Sequence, residues 1–362
     1  MVMKNGYPVE THTVTTEDGY VLSIHRIPFS PKNDNKEEFR PAVFLQHGFL
    51  CSSFDWVVLG PGRALAYLLA DKGYDVWIGN SRGNVYSSKH QTLTSKQKLF
   101  WNFSWHEMGV YDLPAVIDYV LASTSQKDLY YIGHSMGNTM FFVLTSLKPE
   151  YNKKIHLMVA LAPVVFMSYV KSELTKLAVY SRTGEEADRI YNSPYFTPTK
   201  TWTEGVQLAC RKGSVIQGLC SSLIFMIGGF NPQQLDPELL VLILSHYPAG
   251  SSTKAWVHYG QLMRTGKFQQ YDHGETLNLK YYETPTPPQY NLSAVVAPVR
   301  LYNGKNDWLS SIEDTKELYS KLPNTAGMYQ VKLEAFNHVD FQWAKDANTL
   351  VYNEVIGFIK NF

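Results

Sequence analysis

Gly133-His134-Ser135-Met136-Gly137 is the segment whose residue types and spacing most directly suggest chemistry. It is a G-x-S-x-G sequence set between an apolar run, Leu129 to Ile132, and a helix-like stretch, Met136 to Leu147. A sharp strand-to-helix turn at that place lifts the serine hydroxyl out of the sheet, and the glycines keep neighbouring side chains clear of it. The following helix points its N-terminus, the positive end of its dipole, to where negative charge would develop. The pattern predicts Ser135 as a nucleophile for acyl transfer.

A serine hydroxyl is a poor nucleophile until a base takes its proton. After an elbow of this kind the order along the chain is Ser, then Asp or Glu, then His. His338 fits the base, because it follows a strand-like run, Gln330 to Ala335, and precedes the last helix. His156 falls in a strand, and His246, His258 and His273 fall in a stretch of different character, where structural or surface roles are the simpler reading. The acid should follow the preceding core strand. Asp307 does so, in Asn303-Gly304-Lys305-Asn306-Asp307, whereas Asp314 reads as helical and Asp340 comes after the histidine. An oxyanion formed on the substrate needs two backbone N–H donors. Met136, the residue after the nucleophile, would supply one, and Phe49 of His47-Gly48-Phe49 the other.

The elements that must carry these residues alternate. Thr11 to Thr16 and Val21 to Ile27 read as a hairpin turned by Glu17-Asp18-Gly19. Ala42 to Gln46, Tyr74 to Ile78, Leu129 to Ile132 and Ile155 to Leu161 read as buried strands. Helices are expected over Pro61 to Asp71, from Ser104 (a capping box with Glu107) to about Ala122 with a kink at Pro114, and over Met136 to Leu147. This rhythm of continuous apolar strands and helices predicts a mostly parallel sheet covered on both faces. It stops between about Val165 and Pro288, where the pattern is mainly helical and irregular, and resumes with strands at Val299 to Asn303 and Gln330 to Ala335 and helices at Glu313 to Leu322 and Lys345 to Asn361. The simplest organisation is an α/β core over 1–164 and 289–362, interrupted by a cap or lid insertion over 165–288. Within the insertion, Ser222 to Ile227 and Leu239 to Leu244 could line an acyl tunnel or a lid, or simply form its core.

Composition narrows the functional classes. The chain has 362 residues, 44 % of them hydrophobic, enough for a sizeable core. Lys plus Arg (33) almost cancels Asp plus Glu (32), so a net charge of +1 offers nothing to a nucleic acid or another polyanion. No H-E-x-x-H, paired C-x-x-C or P-loop is present, so neither a metal nor a cofactor is expected. No apolar run approaches the length of a membrane span. Met1 is followed by Lys4, Gly6 and Pro8 without an apolar leader, which fits either a cytosolic protein or a mature chain whose signal peptide has been removed. Cys210 and Cys220, ten positions apart, are compatible with a small disulfide loop or with free thiols, and Cys51 reads as a small buried residue. Asn102-Phe103-Ser104 and Asn291-Leu292-Ser293 are glycosylation sequons at Asn102 and Asn291. Together they favour a secreted or lysosomal protein.

Taken together, these marks resemble an acid lipase of the gastric and lysosomal type. They are Thr16-Glu17-Asp18-Gly19-Tyr20, His47-Gly48-Phe49, Asn80-Ser81-Arg82-Gly83-Asn84, Tyr111-Asp112-Leu113-Pro114-Ala115, the Ser135 elbow, Asp307-Trp308-Leu309 and His338-Val339-Asp340-Phe341. The resemblance extends over nearly the whole chain. It implies the α/β-hydrolase fold, a triad of Ser135, Asp307 and His338, oxyanion donors at Phe49 and Met136, and a cap disulfide between Cys210 and Cys220. It also implies hydrolysis of triacylglycerols or cholesteryl esters at a lipid–water interface, by a secreted or lysosomal glycoprotein. Met136, where vertebrate members usually have Gln, and Asn306, where His is frequent, suggest an invertebrate member. Competing expectations are a small-ester carboxylesterase or thioesterase of the same fold, and a non-catalytic lipid carrier on the same scaffold. The intact Ser, Asp and His in the required order argue against a carrier.

Overall fold

The turn Glu17-Asp18-Gly19 closes an antiparallel hairpin in which β1 (Glu10–Thr15) pairs with β2 (Tyr20–Ile27), from Glu10 opposite Arg26 to Thr15 opposite Val21. The computed structural model describes residues 1–32, 39–176, 193–211, 213–215 and 217–362, so part of the stretch read as an insertion, 177–192, lies outside the described residues. Along the chain follow β3 (Ala42–Gln46), β4 (Asp75–Ile78), β5 (Lys89–His90), β6 (Leu129–His134), β7 (Ile155–Leu161), β8 (Tyr195–Phe196), β9 (Ser251–Ser252), β10 (Val299–Asn303) and β11 (Thr325–Gln330).

Among the described residues the main sheet runs β1-β2-β4-β3-β6-β7-β10-β11, with β5 attached to β2, while β8 and β9 pair separately. From β4 to β11 every neighbouring pair is parallel; β1, β2 and β5 supply the antiparallel edge. This is the α/β-hydrolase architecture. The central strands are buried on both faces almost throughout, which is why they read as mainly apolar runs. Alternate residues feed opposite cores. Phe44, Trp77, Tyr131 and Met158 pack towards the helices Leu113–Thr124 and Met136–Leu147. Val43, Leu45, Val76, Ile132 and Val159 pack towards Leu65–Asp71 and Asn353–Asn361.

The connections reverse direction between β3 and β6, because β3 leads to β4 on one side and the chain then crosses back to β6 on the other. The crevice beyond the C-terminal strand ends at such a switch point is where open α/β sheets bind ligands. The loops after β3, β6, β10 and β11 carry Phe49, Ser135, Asp307 and His338 respectively.

Several local expectations shift. The strand expected over Gln330 to Ala335 lies earlier, at β11, which pairs in parallel with β10 through Leu301 opposite Met328 and Asn303 opposite Gln330. β11 is only half-buried, so its residues lack an apolar signature, whereas Val331 and Phe336 are fully buried without being strand. The helix expected from Pro61 begins at Leu65, since Gly60 and Gly62 hold left-handed φ values of 78° and 77°. The last helix begins with a wide turn at Asn348–Tyr352 instead of at Lys345. The capping box is present, with the Ser104 hydroxyl accepting from His106 N–H and Glu107 accepting from Ser104 N–H. The helix continues through a π turn, Met108–Asp112, into Leu113–Thr124. Pro114 cannot donate to the Val110 carbonyl four residues back. The Lys148 ammonium donates to it instead, at 2.9 Å.

One ion network ties the hairpin to this helix. Arg82, 1 % exposed, donates from Nε to Asp112 at 2.7 Å and from both terminal nitrogens to Asp18 at 2.5 and 2.8 Å. Cys210 and Cys220 form a disulfide, and Cys51 is a free, buried thiol. Asn102 and Asn291 are both exposed. Among the described residues no helix is long and apolar enough to cross a membrane, and no cluster of three metal-ligating side chains occurs.

Candidate active site

Ser135 follows β6 and caps the helix Met136–Leu147 with φ 53° and ψ −115°, a region that non-glycine residues rarely enter. Such strain persists only where the surroundings enforce it, and here three glycines do. A Cβ at Gly133 would lie 2.4 Å from the Asn138 side chain, one at Gly137 would lie 2.4 Å from the Gln46 carbonyl, and one at Gly48 would lie 3.0 Å from Ser135 Cβ. Ser135 N–H donates to the Leu161 carbonyl of β7 at 3.1 Å, pinning the elbow to the neighbouring strand.

The residues singled out in the sequence meet in one hydrogen-bonded line. His338 Nε2 lies 2.8 Å from Ser135 Oγ, and its Nδ1 lies 2.9 and 3.1 Å from the two Asp307 oxygens. A carboxylate only accepts, so the Nδ1 position carries the proton and Nε2 is free to accept from the serine. Asp307 Oδ1 also accepts the N–H groups of Leu309 and Ser310, at 2.9 and 2.7 Å. All three residues are buried. The other candidates lie elsewhere. Asp314 accepts from Ser168 and Tyr169 N–H, His258 sits between Ser104 and the Gln269 carbonyl, and His246 stacks on Phe54.

Met136 is the first residue of its helix, so its N–H has no acceptor within it. Phe49 is aimed by His47. Ser81 N–H donates to His47 Nε2 at 3.0 Å, which leaves the proton on Nδ1 to donate to the Gly48 carbonyl at 2.8 Å. Burial depresses the His47 pKa to about 4, keeping the ring neutral. A trans peptide points its N–H opposite its carbonyl, so holding Gly48 C=O in this way fixes the direction of Phe49 N–H. His134, within the elbow, holds the loop that bears His338. Its Nε2 donates to the His338 carbonyl at 3.0 Å, and burial together with His338 lowers its pKa well below the usual value.

A second support comes from the end of the helix Gln217–Gly228. The Gly228 carbonyl accepts from Trp308 N–H at 3.2 Å and His338 N–H at 3.1 Å. The Gly229 carbonyl accepts from Asn337 Nδ2 at 2.7 Å, and the Phe230 carbonyl from Asn306 Nδ2 at 2.9 Å. Three consecutive carbonyls thus clip together the loop bearing Asp307 and the loop bearing His338. Asp340 fastens the same place, accepting from Asn337 N–H and from Asn231 Nδ2 at 2.9 and 2.7 Å. His47, His134 and this clip did not emerge from sequence reasoning. The only local signal was the Gly228-Gly229 pair, and its partners lie about a hundred residues away.

Ser135 opens into an apolar cavity of about 260 Å³. This is far more than the roughly 30 Å³ share of one liquid water. Its walls include Phe49, Leu50, Val164, Met167, Trp256, Tyr259 and Leu309, with Phe49 stacked on Trp256. Of Ser222 to Ile227, Ile227 lines the cavity, whereas Leu240, Ile243 and Leu244 of the other apolar segment are buried in the core. The arrangement sets a serine hydroxyl in hydrogen-bonded line with an imidazole and a carboxylate, beside an apolar cavity.

Residues 1–60 match the family model of a partial alpha/beta-hydrolase lipase region, and residues 41–199 that of the alpha/beta hydrolase fold. The chain is 43 % identical to Lipase 3 of Drosophila melanogaster over 361 residues, covering 99 % of this chain and 91 % of the relative. It is 39 % identical to human gastric triacylglycerol lipase over 360 residues, covering 99 % and 89 %. Among solved structures, the DcsB complex with its substrate analogue superposes with a TM-score of 0.56 at 14 % identity, covering 98 % of this chain and 99 % of that one. A thermophilic esterase from Thermogutta terrifontis gives 0.54 at 14 % identity, covering 97 % and 98 %. At that identity the structural likeness speaks for the fold alone.

Proposed function

The chain belongs to the acid lipase family, and from that premise we propose that it hydrolyses the carboxylic esters of neutral lipids through Ser135, His338 and Asp307. The observation that carries the reading is the continuous contact from Ser135 Oγ through the imidazole to the Asp307 carboxylate, at 2.8 and 2.9 Å, beside an apolar cavity.

In the first half-reaction Ser135 Oγ attacks the ester carbonyl carbon as its proton passes to His338 Nε2. The carbonyl oxygen becomes an oxyanion held by the N–H groups of Phe49 and Met136. Collapse breaks the ester bond, and the alkoxide leaves with the proton from His338. In the second half, water gives its proton to His338 and attacks the acyl-enzyme, releasing the fatty acid and restoring Ser135. Asp307 holds the ring and balances the imidazolium charge in both halves.

Exposed Leu208, Val215, Leu219 and Leu223 supply apolar surface suited to a lipid–water interface. The Cys210–Cys220 disulfide and the exposed sequon residues Asn102 and Asn291 favour a secreted or lysosomal setting. The test is hydrolysis of emulsified triolein, cholesteryl oleate and p-nitrophenyl butyrate by wild type and Ser135→Ala. Long-chain turnover that vanishes in the variant supports the lipase reading. Turnover of butyrate alone would make the protein a small-ester esterase, and no turnover at all would favour a lipid carrier.

A further inference from the structure

The two oxyanion donors come from separate parts of the chain. Met136 N–H opens the helix Met136–Leu147, and Phe49 N–H belongs to the loop after β3. A helix start is fixed by its own backbone bonds, whereas a loop is held by whatever it touches. The bond from His47 to the Gly48 carbonyl orients the Phe49 donor without tying the loop to the nucleophile's helix. Leu50, the next residue, holds a left-handed φ of 61°. Its carbonyl accepts from Ala249 N–H at 2.6 Å, so the loop is braced from a distant segment of the chain.

Tyr259, on the helix Thr253–Thr265, meets both donor-bearing parts. It is 4 % exposed, its ring stands edge-on to Phe49 with centroids 6.1 Å apart, and its hydroxyl oxygen lies 3.0 Å from Thr139 Oγ1. Thr139 stands in the first turn of the helix that Met136 opens. Its own proton donates to the Val164 carbonyl at 2.6 Å, so the bond between the two hydroxyls runs from Tyr259 O–H to Thr139 Oγ1. The phenol is thereby fastened to the nucleophile's helix while its ring bears on Phe49. Trp256 of the same helix stacks on Phe49 as well, with centroids 5.9 Å apart and planes at 18°. A Phe in place of Tyr259 would fill the ring's space, so packing alone does not call for the hydroxyl.

We propose that Tyr259 is a positioning residue that sets the spacing of the two oxyanion donors, carrying the place of the Met136 helix through Thr139 to Phe49. The inference rests on the hydrolase reading and deepens the account of its site. Both N–H groups must reach one oxygen, and the charge they hold exists only as the transition state is approached. Support of this kind therefore acts on kcat and leaves the binding of the ester unchanged. It is also indifferent to the acyl chain, because every ester passes through the same oxyanion.

The experiment measures kcat and KM for p-nitrophenyl acetate and p-nitrophenyl hexanoate in wild type, Tyr259→Phe, Thr139→Val and the double variant. It adds Ki for an alkyl trifluoromethyl ketone, on whose carbonyl a serine hydroxyl forms a reversible hemiketal oxyanion. Tyr259→Phe leaves Thr139 bonded to Val164 and orphans no donor, so it should stay folded. It should lower kcat about tenfold on both esters with KM little changed, less than the roughly 10²–10³ lost with a whole donor. Ki for the ketone should rise by the same factor. Thr139→Val should lose as much, and the double variant no more than either, because the two hydroxyls form one link. A kcat within about twofold of wild type in folded Tyr259→Phe overturns the inference. So does a loss confined to KM or growing with acyl length, the mark of a residue that only lines the cavity, and so does a double variant whose losses multiply. Should Tyr259→Phe fail to fold, Thr139→Val carries the same test. Wild type that cleaves neither ester would remove the hydrolase reading itself, and this inference with it.

Discussion

Replacing Gly229 by Ala should cripple turnover while leaving the chain folded. The residue holds φ +112°, and a Cβ added there would sit 2.2 Å from the Asn306 carbonyl oxygen and 3.0 Å from Asn337 Cβ. Relief requires a movement of about 1.2 Å, the gap between 2.2 Å and ordinary contact at 3.4 Å. Asn306 precedes Asp307 and Asn337 precedes His338, so the displacement falls on the two loops that the helix end clips together. A misplacement of about 1 Å costs on the order of 10² in rate, or about 2.7 kcal/mol in the barrier. The left-handed backbone adds about 1–3 kcal/mol of strain to the folded state. The assay is kcat on a soluble p-nitrophenyl ester, with circular dichroism to establish folding. Gly228→Ala is the matched comparison. Its Cβ would meet the Val339 side chain at 3.2 Å, and His338 Cβ and Val339 N at 3.5 Å, so its loss should be much smaller. A Gly229→Ala enzyme within a few-fold of wild type, or equal losses at both positions, would refute the idea that this segment positions the triad.

Burial, aided by the charge of Asp307, pushes the Asp340 carboxyl up to about 7 from 3.8, against the opposing N–H donors of Asn337 and Asn231. Between these two values the folded chain keeps a proton that the unfolded chain has lost, so this group's contribution to stability is full below about pH 4 and disappears as pH rises through 7. Asp340→Asn retains an acceptor and cannot titrate. Its stability relative to wild type should therefore rise by up to about 4 kcal/mol between pH 4 and pH 8, and parallel pH profiles in chemical denaturation would contradict this. Arg82→Leu leaves the buried Asp112 without its cation, and urea unfolding should show a loss of about 3–5 kcal/mol; a loss below about 1 kcal/mol would mean the network is dispensable.

Much of this protein is legible in its sequence, and the reason is local. β3, β4, β6 and β7 are apolar over most of their length because both sheet faces are covered, and such strands announce themselves. Ser104 with Glu107, and Gly133 with Gly137 around Ser135, specify their turns within four or five residues. Chain order then singles out Asp307 and His338, which do come together with Ser135. The position of β11 is not legible, because an edge strand is only half-buried and its pairing partner, β10, lies more than twenty residues back.

What only the tertiary structure decided is how these groups are held and what surrounds them. The proton on His47, the bond from His134 to the His338 carbonyl, and the carbonyls of Gly228 to Phe230 between two loops involve groups brought together from distant parts of the chain. Local preference can propose a nucleophile and the strand and helix on either side of it. It cannot say which carbonyl a distant loop will meet, nor whether a buried amide will find a partner, because both depend on how the packed sheet brings those loops together.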